Sequence, residues 1–87
     1  MQTSKYSQLK QEVQKTRELV SEFVMTVTDR NFHLTKEVME ILEKVTGLMS
    51  LSEQRRTISG KNESARNSLP FVKEYNEQLQ KTLELLK

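Results

Sequence analysis

Apolar side chains in the first third of the chain return at alternating intervals of three and four: Tyr6, Leu9, Val13, Thr16, Val20, Phe23 and Val27. With 3.6 residues per turn, that spacing keeps every one of them on the same face of an α-helix, and it is the seam a helix presents to other helices. A strand would need apolar residues at every second position. The rhythm returns over Leu34, Val38, Ile41, Val45 and Leu48, and again over Leu69, Val72, Asn76, Leu79, Leu83 and Leu86. Two Gly and one Pro in 87 residues leave few breakers between these seams. The chain therefore reads as all-α, a small antiparallel bundle of about three helices with coiled-coil-like seams. The expected helices cover about 4–28, 33–59 and 69–86, within a single domain spanning 1–87.

The expected boundaries come from capping chemistry. Thr3 or Ser4 is placed to cap the first helix. Between Thr26 and Asn31 the seam loses phase, and Asp29 or Asn31 can cap a second helix after a turn. A stutter in one long helix is the competing reading. Gly47 suggests a bend, and Ser50-Leu51-Ser52-Glu53 beyond it has capping-box spacing. The stretch 60–68 offers almost nothing to bury and reads as a linker, with Gly60 closing the second helix. Ser68 would then cap the last helix, with Pro70 in its first turn.

Composition removes several classes of function. There is no Cys, one His and one Asp, so no disulfide scaffold, thiolate metal site or cysteine nucleophile exists. A Ser-His-Asp triad would need both His33 and Asp29, which lie four residues apart beside the expected turn. Gly47 and Gly60 are isolated and cannot build a phosphate-binding loop. We expect no catalytic residue, no metal ligand and no cofactor, and thus a non-enzymatic protein. No apolar run approaches the ~18 residues of a membrane span, and the first residues do not form a signal-peptide core. A cytoplasmic location is the expectation, with no membrane association.

Net charge is only +2, and the single basic bias is the stretch holding Arg55, Arg56, Lys61 and Arg66, diluted by Glu63. These four are the candidate nucleic-acid contacts, in a footprint weaker than such proteins usually carry. Asn76 sits between Val72 and Leu79 at a seam position, where a facing pair of amides would fix the register of an oligomer. Phe71 and Tyr75 begin a second stripe with Gln78, Thr82 and Leu85, so the last helix has two faces to cover. The expected partner-binding residues are Phe71, Tyr75 and Leu85, with Met49 and Leu51 beside Gly47. Limited core material in a chain this short suggests that some apolar surface is buried between chains, most simply in a homodimer. The leading expectation is a protein-binding module that self-associates, acting as a small regulator, adaptor or chaperone. A secretion-associated helical hairpin protein, or its chaperone, is one alternative. A nucleic-acid-binding regulator is the other.

Overall fold

The Ser4 hydroxyl accepts the Ser7 N–H at 3.1 Å, the bond of an N-cap to the third helical residue. From that cap, helix α1 runs over Lys5–Val27, followed by α2 over Phe32–Glu53 and α3 over Ile58–Leu86. This computed structural model describes residues 4–27 and 32–86. Asp29 and Asn31, the expected caps of the second helix, lie outside the described residues, as does the side chain of His33. The direction of the chain is nevertheless plain from the cores. Leu9 and Val13 of α1 meet Val45 and Met49 of α2, whereas Val20, Phe23 and Val27 meet Val38. The chain therefore reverses between α1 and α2, and the single long helix is excluded.

Leu69 and Val72 join the first of these clusters, and Leu79 and Leu83 the second. So α3 runs antiparallel to α2 and parallel to α1, an up-down-up bundle in which all three pairs of helices touch. The α1–α3 contact is the most extensive. The α1 seam is buried at Leu9, Val13, Thr16, Val20, Phe23 and Val27, with Tyr6 half-buried at its start. A 29-residue helix is about 43 Å long, against about 34 Å for the 23 residues of α1. Leu85, near the end of α3, is 87% exposed because it lies on the side of the helix turned away from Leu79 and Leu83.

Three expected boundaries are corrected. First, α2 passes through Gly47 and on to Glu53 without a restart, so Ser50 is helix interior rather than a cap. Second, the second helix stops at Glu53 instead of 59, and Gly60 does not close it. Third, residues 60–68 are not a linker but the first turns of α3. Thr57 caps that helix, its hydroxyl accepting the Gly60 N–H at 2.9 Å while its carbonyl accepts the Lys61 N–H at 2.9 Å.

The 60–68 stretch is helical because its buried side chains are small rather than absent. Ala65 and Ser68 are buried, and Ser52 Oγ donates to Ser64 Oγ at 3.1 Å across the α2–α3 contact. Small residues let helices approach closely, and a search for large apolar groups passes over them. Ser68 is thus a core residue and not a cap. Pro70 lies inside α3 on an exposed position, where its missing N–H leaves the Arg66 carbonyl to water.

Two polar contacts pin α3 to the other helices at this end. Asn62 Oδ1 accepts the Tyr6 N–H at 3.0 Å, satisfying a first-turn donor of α1 from another helix. The Lys61 ammonium donates to the Glu53 carbonyl at 2.6 Å, closing the C-terminus of α2. The same ammonium stands 5.4 Å from the Tyr6 ring centre, as does that of Lys10. Lys61→Met should lower unfolding free energy by about 0.5–1 kcal/mol, since the site is solvent-screened. Urea unfolding of the variant beside the wild type measures it.

Candidate functional site

The antiparallel packing of α2 on α3 leaves a groove on the outside of the bundle. Val45 and Met49 face the core, so the neighbouring positions of α2, Lys44, Gly47, Leu48 and Leu51, turn outward beside α3. Leu69 and Val72 likewise face inward, which turns Phe71 and Tyr75 toward the same groove. The depression holds about 550 Å³ and its lining is mainly apolar. Phe71 and Leu51 remain 57% and 56% exposed, and Tyr75 and Leu48 are half-buried. Gly47 gives the groove part of its width: a Cβ built there meets no atom within 4 Å.

Three of the five expected partner-binding residues are therefore brought together, namely Leu51, Phe71 and Tyr75. The other two are not. Met49 is a core residue, 5% exposed and packed among Leu9, Val13, Val45 and Leu69. It cannot touch a partner while the bundle is folded. Leu85 is exposed but does not line the groove. Lys44, Gly47 and Leu48 were not expected at the site. In the sequence Leu48 belongs to the α2 seam and Gly47 suggests a bend, and neither marks a surface.

Asn76 also needs correcting. It is 1% exposed within a single chain, so it cannot face a second copy. Its Nδ2 donates to the Glu12 carbonyl at 2.9 Å and to Glu12 Oε1 at 3.3 Å. Its Oδ1 accepts the Thr16 hydroxyl at 2.5 Å. The reverse amide orientation would set Oδ1 against the Glu12 carbonyl oxygen, so the acceptors around it fix which way it points. Its hydrogen bonds join α3 to α1 of one chain rather than two copies to each other. Among the described residues no buried side-chain polar atom lacks a partner.

Arg55 and Arg56 are exposed in the connection between α2 and α3, while the Lys61 ammonium is held by Glu53 and Tyr6. Arg66 lines two shallow depressions, one with Ile58, Ser59, Asn62 and Glu63 and one with Lys5, Leu69, Pro70 and Lys73. Among the described residues there is no cluster of three potential metal ligands, and no helix is long and apolar enough to cross a membrane. Compared with known protein families, curated proteins and solved structures, the chain matches none.

Proposed function

We propose that this chain is a non-enzymatic protein-interaction module whose working surface is the α2–α3 groove. The observation that carries the reading is the convergence of Leu51, Phe71 and Tyr75 from two helices onto one open, mainly apolar surface. An exposed aromatic costs the free chain solvation that only a covering surface returns, and two helices set antiparallel offer a channel for an apolar helix face. A regulator, adaptor or chaperone acting in the cytoplasm would use such a surface, because each acts by occupying another chain's helix. The nucleic-acid alternative has less support, because the Lys61 ammonium is already engaged by the Glu53 carbonyl and the Tyr6 ring.

The test is a nuclease-treated affinity capture from native cells with wild type, Phe71→Glu and Ile58→Glu, read by mass spectrometry. Ile58 is 77% exposed and does not line the groove. A stoichiometric protein retained by wild type and Ile58→Glu but reduced at least tenfold by Phe71→Glu is the expected result. Equal recovery with both variants would remove the groove as the binding surface.

A further inference from the structure

We infer that the occupant of the α2–α3 groove is a second copy of this chain, joined by a twofold axis running along the bundle. The inference rests on the reading of the groove as a protein-binding surface and names its partner. Four observations carry it.

The first is area. The chain exposes 6335 Å². A compact monomer of 10.2 kDa would expose about 5,300 Å², so about 1,000 Å² is in excess. Each partner in a standard interface buries about 800 Å². The excess is thus of the size that one stable twofold contact removes.

The second is the charge pattern. Asn67, Phe71, Tyr75, Gln78, Thr82 and Leu85 follow one another by three or four residues along α3, a stripe about 27 Å long without a charge. The chain as a whole is 30% charged. A twofold contact sets the same patch against itself, so a charge near the axis meets its like. The α3 side of the groove meets that requirement, and the one charge on the α2 side, Lys44, needs a partner of opposite sign. A foreign partner would impose no such rule.

The third is Gly47. A glycine inside a helix weakens it relative to alanine, and here its missing Cβ makes room for nothing in its own chain. The space opens onto the groove, where the close approach of another helix would use it.

The fourth is Lys44, the only charged residue lining the groove. Among the described residues it has no acidic partner in its own chain. With the axis along the bundle, α2 of each copy lies antiparallel against α3 of the other and residues keep their height. Lys44 shares the groove with Tyr75, so it comes to the level of Glu74 in the second copy. Two such ion pairs, related by symmetry, flank the apolar contact.

The test is the mass of the purified full-length chain by light scattering and sedimentation equilibrium, from low to about 100 µM, a range that resolves micromolar affinity. Twice the chain mass is expected. Phe71→Glu and Gly47→Gln should each raise the dissociation constant at least tenfold. Gly47→Gln should do so while raising the unfolding midpoint of the monomer, because glutamine is the better helix former. That opposition of sign separates lost docking from lost folding. Lys44→Glu should weaken the dimer, and adding Glu74→Lys should restore it.

A monomeric wild type over this range overturns the inference. So does a dimer that Phe71→Glu and Gly47→Gln leave intact, since it would use another face. If the chain is monomeric but Phe71→Glu still loses a captured cellular protein, the groove reading stands and only the second copy is wrong. If the chain dimerises through the groove and captures nothing else, this inference stands and the reading narrows to self-association.

Discussion

Asn76→Asp should destabilise the chain by about 3–5 kcal/mol at pH 7, the cost of burying a charge whose surroundings do not pair with it. The substitution preserves shape almost completely, so packing does not enter. The donors at Nδ2 are replaced by an oxygen facing the Glu12 carbonyl at 2.9 Å and Glu12 Oε1 at 3.3 Å. Two acceptors then confront a carboxylate that is sealed from water, and one of them belongs to another carboxylate. Domains of this size carry about 5–15 kcal/mol in total, so much of the margin disappears.

Acid should reverse part of the loss. Burial and the neighbouring oxygens raise the folded-state pKa of the introduced carboxyl above its unfolded value of about 3.9. A group with a raised folded pKa stabilises fully below the unfolded value and loses that contribution as pH climbs through the folded one. Protonated, the carboxyl can again donate to the Glu12 carbonyl. The gap between variant and wild type should therefore narrow as pH falls toward 4, measured by urea unfolding at a series of pH values. A gap independent of pH would mean that the amide donors are not what holds this site.

Phe23→Ala should cost about 3–5 kcal/mol, while Phe71→Ala in the isolated chain should cost less than about 0.5 kcal/mol. Phe23 is 1% exposed and packs within a cluster supplied by all three helices, including Val20, Val38, Leu79 and Leu83. Truncation there removes apolar contact and leaves a cavity that three helices cannot easily close. Phe71 gives much of its ring to solvent, and the groove is already open. Chemical unfolding of the two variants at low concentration reads the difference. Similar losses for both would place Phe71 in the core and remove the groove.

These pairs show where the sequence was legible. The α1 seam could be read almost residue by residue, because a helix packed on two neighbours must repeat its apolar groups at intervals of three and four. The Ser4 cap was also legible, since its bond to Ser7 is local. The start of α3 was not. Ala65 and Ser68 are core residues only because α1 and α2 approach closely there, and no local signal marks a small residue as buried. Met49 failed as a site residue for a related reason: α2 contacts both other helices, so its buried face is wider than the seam and takes in Met49 as well.

By itself, then, the sequence determined that the chain forms helices, roughly where α1 and α2 begin, and which stripes seek cover. It also excluded disulfides and thiolate chemistry, because the atoms are missing. Only the tertiary structure decided that Asn76 is satisfied by Glu12 and Thr16, that Lys61 is spent on Glu53, and that Leu51, Phe71 and Tyr75 converge. Periodicity reports the angle of a side chain about its own axis. Which helix stands at that angle, and whether any does, depends on contacts between residues distant along the chain.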